Sequence, residues 1–242
     1  MTIRIAMWSG PRNISTAMMR SWENRPDCTV VDEPFYAFYL THSGKRHPMQ
    51  EEVLASQDSN FDNLVKMLTE GDVSQPIQYQ KHMTQHMLAD VDLSWTKQLR
   101  HCFLIRDPAA IVSSFSKSMT NVSTEDIGIL RQAELYTLLS EQSETLIPVI
   151  SSEEVLKNPR SVLQQLCHAL EVPFANEMLE WPAGKRYTDG VWAPHWYANV
   201  EKSTGFGPAI EKELRLNDWQ QRIVDEVMPA YETLAKRAIK AD

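Results

Sequence analysis

The chain has 242 residues, of which 43% are hydrophobic and 23% are charged. These fractions are ordinary for a globular protein and exclude a disordered or fibrous chain. The formal net charge is −8, which argues against binding to nucleic acid or to an anionic membrane surface.

The cysteine content and the hydropathy favour a soluble protein of a reducing compartment. Cys28, Cys102 and Cys167 are odd in number and far apart, which disfavours a disulfide framework and a CxxC metal site. No run approaches the ~20 apolar residues that a membrane helix needs, and no secretory signal pattern opens the sequence. We therefore expect a cytoplasmic protein with no membrane or nucleic-acid partner, and the sequence leaves its oligomeric state open.

Five short, largely apolar segments predict β-strands that are covered on both faces. They are Ile3–Trp8, Cys28–Asp32, Ile77–Lys81, Leu99–Ile105 and Ile147–Ser151. The predicted helices lie over Ser15–Arg25, Phe61–Thr69, a segment beginning at Pro108, Glu125–Leu146, Pro159–Leu170 and a segment from Leu216 towards the C-terminus. This alternation predicts a parallel sheet in a single α/β domain over 1–242. Residues 181–208 are rich in glycine, proline and aromatic residues and predict a long ordered loop, a possible lid.

The first strand is followed by a loop with the character of an anion site. Residues 9–16 read SGPRNIST and open a helix, where backbone N–H groups and the helix dipole attract anions. Arg12 adds a cation, and Ser15 and Thr16 add hydroxyl groups. The ATP-binding pattern GxxxxGK(S/T) is not matched, because its lysine and its metal-binding hydroxyl are missing. The alternative interpretation is an ordinary turn in which Ser15 caps the helix.

A second candidate anion site follows the fourth strand. Arg106 ends that strand, Pro108 begins the next helix, and Ser114 lies eight residues after the arginine. A guanidinium can bind two phosphate oxygens at once, so Arg106 and Ser114 could share one ligand. The alternative is a surface arrangement of Arg106 with Asp107.

These motifs together resemble the sulfotransferases that use 3′-phosphoadenosine 5′-phosphosulfate (PAPS). Residues 11–17, PRNISTA, resemble the family's 5′-phosphosulfate loop PKSGTTW, with Arg12 in place of the lysine and Ile14 in place of the glycine. The pair Arg106 and Ser114 resembles the family's clamp on the 3′-phosphate. Residues 151–160, SSEEVLKNPR, resemble a third segment, in which a strand precedes an Asn-Pro helix start. The resemblance covers the motifs from Ile3 to about Pro173 and is loose in the C-terminal third.

The resemblance implies a P-loop NTPase-like three-layer α/β/α sandwich with a five-stranded parallel sheet. It also implies transfer of a sulfuryl group from PAPS to a hydroxyl or amine of a small-molecule acceptor, with PAP as the nucleotide product. By resemblance, Arg12, Asn13, Ser15 and Thr16 hold the 5′-phosphosulfate. Similarity in composition and chain position suggests Lys202 as a further phosphate contact, and the aromatic content of its loop suggests Trp196 as a wall of the site.

The proton acceptor is not decided by the sequence. Lys81-His82 ends the third strand and resembles the Lys-Thr-His of many cytosolic sulfotransferases, which suggests His82 as base and Lys81 as a stabiliser of the bridging oxygen. Glu33, after the second strand, is the other candidate, and other branches of the family use a glutamate near this place. An alternative role for Glu33 is an ion pair with Arg12. The pair His82 and His86 lacks a carboxylate in register, so we expect no metal site.

Two other functions remain open at this point. An ATP-dependent small-molecule kinase would share the fold, although the missing lysine argues against it. A non-catalytic nucleotide-binding protein would keep both anion loops without needing His82 or Glu33.

Overall fold

A computed structural model describes residues 2–119, 122–208 and 214–242 of the chain. Within these residues, five parallel strands form one sheet in the order β2-β3-β1-β4-β5. The strands are β1 Ile3–Ser9, β2 Cys28–Asp32, β3 Ile77–Met83, β4 Arg100–Ile105 and β5 Val149–Ser151. The predicted five-stranded parallel sheet is therefore confirmed.

Helices lie between and after the strands throughout the described ranges. They are α1 Ser15–Glu23, α2 Tyr36–Ser43, α3 Gln50–Ser56, α4 Phe61–Glu70, α5 Pro108–Phe115, α6 Ile129–Gln142, α7 Ser152–Lys157, α8 Pro159–Ala169, α9 Ala193–Trp196 and α10 Asp218–Ala235. None of these described helices has a stretch that is both long and apolar enough to cross a bilayer.

Alternation along β1 divides the core into two layers. Ile5 and Met7 point to the face on which α1 and α8 pack, whereas Ala6 and Trp8 point to the face covered by α2, α4, α6 and the end of α10. Successive side chains of a strand face opposite sides of the sheet, so an apolar strand supplies both cores. This produces the expected three-layer α/β/α arrangement.

Four short helices were not predicted from the sequence, namely α2, α3, α7 and, within the predicted loop, α9. Helix α2 contains the aromatic run that follows Glu33, and its residues 36–40 are all buried, so it has no polar stripe to give an amphipathic signal. Helix α3 follows a left-handed residue, Met49, and α7 begins directly after β5. The predicted helix over 125–146 is shorter and spans Ile129–Gln142.

Residues 181–208 fold over the edge of the sheet as an ordered loop. Its two ends are joined by an isolated bridge between Glu180 and Gly205, and its middle contains α9. Asp189 forms a buried ion pair of 2.5 Å with Arg20 of α1. These contacts hold the loop against the elements that carry the first predicted anion site.

Candidate active site

The carboxyl ends of the four longest strands surround one cavity of about 340 Å³. The chain after β1 passes to β2 on one side of the sheet, whereas β4 lies on the other side of β1. Ligands of open α/β sheets bind at such a reversal of strand order. The cavity is lined by residues after β1, after β2, at the end of β3 and after β4, together with residues of the 181–208 loop.

Arg12 and Arg106 come together at one end of this cavity. The Arg106 guanidinium donates a hydrogen bond to the backbone carbonyl of Arg12, and Arg12 Nε donates to Ser114 Oγ at 3.1 Å. Neither guanidinium forms a salt bridge with a carboxylate in the part of the chain that the structure describes. Burial and the charge of Arg106 lower the pKa of Arg12, because two like charges in a partly dry site repel each other.

The hydrogen-bond partner of Ser114 differs from the sequence prediction. Ser114 was expected to share a ligand with Arg106, but its hydroxyl bonds to Arg12 instead. Arg12 itself adopts a left-handed backbone with φ of 53°, which turns its carbonyl towards Arg106. The three residues therefore form one connected group that links the loop after β1 to α5.

The first turn of α1 lies beside the two arginines. Ser15 and Thr16 line the cavity, and the N-cap residue is Ile14, which provides no side-chain cap. Ser15 thus does not act as the cap that the alternative interpretation required. Uncapped N–H groups of a first turn are free to bind an anion. We call this group, Arg12, Arg106 and the first turn of α1, the phosphate end of the cavity.

Asn13 and Gly10 shape the loop. The Asn13 side chain donates to the carbonyl of Leu104 at 2.9 Å and accepts from the Ile14 N–H at 2.9 Å, so its polar atoms tie the loop to β4. At Gly10, an added Cβ would lie 2.7 Å from the backbone oxygen of Ile127. Glycine is therefore required there because a neighbouring backbone approaches closely.

A buried charge cluster also borders the cavity. Lys81 Nζ, 1% exposed, donates to Asp32 Oδ1 at 2.8 Å, to Glu33 Oε1 at 2.7 Å and to the Tyr197 hydroxyl at 2.6 Å. Tyr197 in turn donates to Asp32 Oδ2 at 2.7 Å and accepts from Trp192 Nε1 at 3.0 Å. The acidic residues thus pair with Lys81, and not with Arg12 as one alternative supposed.

Glu33 is the carboxylate of this cluster that lines the cavity. Its backbone is left-handed, with φ of 41°, a conformation that costs a non-glycine residue of order 1–3 kcal/mol. Burial raises the pKa of Glu33, and Asp32 adds to the increase, whereas Lys81 opposes it. The structure therefore presents to the cavity a carboxylate of increased basicity. We call the group of Asp32, Glu33, Lys81, Tyr197 and His86 the acidic end.

His82 lies outside the cavity lining. Because side chains alternate along β3, Lys81 and Met83 face the cavity, whereas His82 enters the core on the other face of the sheet. Its ring stacks on Trp8 at 4.6 Å, its Nε2 pairs with Gln80 Oε1 at 3.1 Å, and burial lowers its pKa to about 3. The structure does not bring His82 to the other candidate residues.

His86 reaches the acidic end instead, although the sequence analysis gave it no catalytic role. It lies at the end of a short turn, residues 84–86, directly after β3, and lines the cavity. Its Nδ1 is 4.0 Å from Glu33 Oε2. The signal available in the sequence was a second histidine shortly after a strand that ends at the site.

The two predicted site residues of the 181–208 loop, Trp196 and Lys202, differ in their placement. Trp196 lines the cavity, and the Arg12 guanidinium carbon lies 5.9 Å from the centre of its ring, within the range of a cation–π contact. Lys202 is exposed and does not line the cavity, to which Ser203, Gly205 and Phe206 contribute.

Comparison with known proteins assigns the family. A model of the sulfotransferase domain matches residues 3–238. The chain belongs to the sulfotransferase family. Two curated relatives from Arabidopsis thaliana are named branched-chain-amino-acid aminotransferase-like protein 1 and protein 2. The first is 38% identical over 84% of this chain, and the second is 31% identical over 95% of it. The matches span only 36% and 41% of those proteins, which are much longer than this sulfotransferase domain.

Solved structures show the same fold at low sequence identity. The sulfotransferase domain from the curacin biosynthetic pathway covers 94% of this chain and 98% of its own, with a TM-score of 0.58 and 16% identity. A sulfotransferase from Alicyclobacillus acidocaldarius covers 99% and 98%, with a TM-score of 0.57 and 12% identity. A mouse sulfotransferase complexed with PAP covers 93% and 82%, with a TM-score of 0.56 and 13% identity. The P-loop NTPase-like architecture expected from the sequence is that of these sulfotransferases.

Proposed function

We propose that this domain transfers a sulfuryl group from PAPS to a small-molecule acceptor. The observation that carries the proposal is the convergence of Arg12 and Arg106 on one cavity beside the uncapped first turn of α1. Two guanidinium groups that form no salt bridge in the described residues suit an anionic ligand with more than one phosphate-like group. PAP bound in a mouse protein of the same fold supports this class of ligand.

The two ends of the cavity suit the two halves of the reaction. As the bond between sulfur and the bridging oxygen breaks, negative charge develops on the departing phosphate, and fixed cations and N–H groups stabilise that charge. Arg12, Ser15 and Thr16 supply such groups at the phosphate end, and Arg106 holds a second phosphate. Glu33, at the acidic end, accepts the proton of the acceptor. We assign this role to Glu33 and not to His82 because only Glu33 lines the cavity.

Lys81 is assigned a supporting role. Its three short hydrogen bonds to Asp32, Glu33 and Tyr197 use the three donors of an ammonium group. It therefore fixes the orientation of the Glu33 carboxylate and attaches the 181–208 loop to the sheet through Tyr197. A direct contact of Lys81 with the bridging oxygen would require one of these bonds to break.

The same residues do not suit an ATP-dependent kinase. Ser15 and Thr16 occupy the positions where the ATP-binding loop has its glycine and lysine, and that lysine reaches the β- and γ-phosphates. Lys81, the buried lysine of the cavity, is already paired with two carboxylates. The cavity therefore favours a nucleotide bound by arginines over a metal–ATP complex.

Calorimetry with PAP and with ATP·Mg²⁺ tests the proposal. We expect PAP to bind without metal with a Kd in the micromolar range or tighter, about −8 kcal/mol, and ATP·Mg²⁺ to bind at least tenfold more weakly. Arg100 lies at the start of β4 and outside the cavity. The variant R100A is the charge-matched control for R106A, and it should leave the PAP affinity unchanged. Tighter binding of ATP·Mg²⁺ than of PAP contradicts the proposal and favours the kinase.

A transfer assay separates an enzyme from a non-catalytic binding protein. PAPS labelled with ³⁵S in its sulfuryl group is incubated with the domain and a panel of phenols, alcohols and amines. Labelled sulfate ester or sulfamate is the expected product. PAP binding without transfer to any acceptor and without release of sulfate would leave the domain as a binding protein.

A further inference from the structure

His86 is a buried polar side chain whose Nδ1 has no hydrogen-bond partner in the described structure. The residue is 2% exposed and lines the cavity. Its ring is stacked between Tyr36, at 4.5 Å, and Tyr39, at 4.8 Å. Stacking on both sides fixes the plane of the imidazole, and a buried nitrogen without a partner is unfavourable by about 1–3 kcal/mol. Such an atom beside a cavity indicates a partner that arrives with the ligand.

The position of Glu33 indicates what that partner is. Its Oε1 accepts from Lys81, and its Oε2 lies 4.0 Å from His86 Nδ1, too far for a direct hydrogen bond. An oxygen atom placed about 2.8 Å from each of the two atoms would form both bonds, at an angle of roughly 90° between them. The separation therefore matches that of two atoms bridged by one polar atom with two hydrogen-bonding functions.

We propose that Glu33 and His86 together hold the nucleophilic hydroxyl group of the acceptor. The proposal rests on the sulfuryl transfer proposed above and adds His86 as a catalytic residue. Glu33 Oε2 accepts the hydrogen bond of the acceptor O–H, and His86 Nδ1–H donates to one lone pair of the same oxygen. A second lone pair of that oxygen is left to attack sulfur.

The transfer step balances with these groups alone. The acceptor O–H bond breaks and its proton goes to Glu33 Oε2, while the oxygen forms a bond to sulfur. The bond between sulfur and the bridging oxygen breaks, and its electron pair leaves on the 5′-phosphate oxygen of PAP. His86 gains and loses no proton, and it orients the oxygen.

The same arrangement selects a hydroxyl over an amine. A neutral amine has a single lone pair, and the hydrogen bond from His86 Nδ1–H would occupy the electrons that must attack sulfur. An alcohol or phenol keeps one lone pair free. We therefore infer that the acceptor class is hydroxyl compounds, which narrows the function proposed above.

A crystal structure of the domain with PAP tests the site without knowledge of the acceptor. Water is the simplest hydroxyl compound and serves as the probe. We expect an ordered water within about 3.2 Å of both Glu33 Oε2 and His86 Nδ1, and we expect it to be lost in H86F. An Nδ1 that bonds to a protein group, with no oxygen between it and Glu33, overturns the proposal.

Release of ³⁵S-sulfate from labelled PAPS, with water as the nucleophile, provides a kinetic test. We expect H86F to release sulfate at least tenfold more slowly than the wild type, with its Kd for PAP within twofold. H86N should stay within fivefold of the wild type, because the asparagine amide nitrogen can take the place of Nδ1. H101Q is the control for loss of a partly buried imidazole, since His101 bonds to Trp8 and Thr96 outside the cavity. Sulfate release by H86F at the wild-type rate contradicts the proposal.

The two arms distinguish failure of this inference from failure of the proposed function. If the wild-type domain does not bind PAP, the sulfotransferase proposal is wrong, and the inference that depends on it is wrong as well. If the wild-type domain binds PAP and transfers sulfate, and the H86F variant does both equally well, only the role assigned to His86 is wrong. If PAP binds but no sulfate is released to water, the presence or absence of the bridging water in the PAP complex decides.

Discussion

The two ends of the cavity treat buried positive charge in opposite ways. At the phosphate end, Arg12 and Arg106 lie together, and neither guanidinium forms a salt bridge among the described residues. The charges of Glu153 and Asp107 only oppose the effect of burial, which lowers the pKa of Arg106. At the acidic end, Lys81 is more deeply buried but has two carboxylates and a hydroxyl within 2.8 Å. The first arrangement leaves positive charge that an anionic ligand would neutralise, whereas the charge of Lys81 is already balanced by protein groups.

This difference is the one expected between residues that bind an anion and residues that hold a carboxylate in position. Burial and, after it, the charge of Arg106 lower the pKa of Arg12, so its charged form is disfavoured. An anionic ligand would offset this effect, which would add to its binding energy. Asp32 and Glu33 raise the pKa of Lys81 well above its usual value, so the ammonium group stays charged and its geometry stays fixed.

The largest expected effect comes from the carboxylate at the acidic end. E33Q keeps the size of the side chain but cannot accept a proton, and general-base catalysis contributes about 10²–10⁴-fold. We expect the rate of sulfuryl transfer from ³⁵S-labelled PAPS to fall by that factor, with the Kd for PAP within threefold of the wild type. Burial raises the pKa of Glu33. As the pH is lowered, the rate of the wild-type enzyme should therefore begin to fall at a pH above the usual pKa of a glutamate.

The corresponding change at His82 distinguishes the two candidate bases. H82Q alters a side chain that stacks on Trp8 in the core, so a loss of stability is expected without a comparable loss of rate per folded molecule. A rate loss in H82Q as large as that in E33Q would return the role of base to His82.

Removing the cation of the acidic end should strongly reduce the free energy of unfolding. K81M leaves Asp32 and Glu33 as two buried carboxylates without a counter-charge, a change that typically destabilises by about 3–5 kcal/mol. Urea denaturation measures the loss. K45M is the control, because Lys45 pairs with Asp126 at 2.8 Å but is 40% exposed, and such pairs contribute about 0–1 kcal/mol.

The stability of the K81M variant should change with pH in a definite direction. Burial and the charge of Asp32 raise the pKa of Glu33, and Lys81 opposes the increase, so its removal should raise that pKa further above the unfolded value. The protonated form of Glu33 is then favoured in the folded state, so this variant should lose stability as the pH rises from about 5 to 8. A loss of stability equal to that of K45M, or one that is independent of pH, would contradict the buried pairing.

The fold could be predicted from the sequence because its signals are local. Each strand is a short apolar run between helical patterns, and Pro108 and Pro159 mark the first turns of α5 and α8. The missed helix α7 also has a local signal, since the Ser151 side chain caps it through the Glu154 N–H. Helix α2 has none, because its first five residues are all buried and leave no periodic polar stripe among them.

The site was predictable only in part, because side-chain direction and strand neighbours are not local. The sequence placed Lys81 and His82 at one strand end, but the alternation of β3 sends them to opposite faces. The pairing of Lys81 with Asp32 follows from the register of β2 on β3, in which these two residues are direct neighbours. That register depends on the strand order, which the sequence does not reveal.

The phosphate end should respond to R106A mainly in nucleotide affinity. Loss of a charged hydrogen bond typically weakens binding by about 1.5–3 kcal/mol, which corresponds to a Kd for PAP increased by about tenfold or more. We expect a smaller increase for 5′-AMP, which lacks the 3′-phosphate. R106K tests the guanidinium itself, because it keeps the charge but not the two-pronged donor. Equal losses for PAP and 5′-AMP would show that Arg106 acts only by holding the Arg12 carbonyl.

The last prediction concerns His82 and the pH dependence of unfolding. Burial lowers its pKa in the folded protein to about 3, whereas an unfolded histidine titrates near 6.5. The folded state therefore favours the neutral ring, and this stabilisation is complete above about pH 6.5 and declines as the pH falls. The expected slope is about 1.4 kcal/mol per pH unit between roughly pH 6 and 4. H82Q should lack this slope, and urea denaturation at several pH values compares it with H168Q, which alters an exposed ring. An unchanged slope in H82Q would mean that the ring is charged or hydrated in the folded protein, and its exclusion from the cavity would then be wrong.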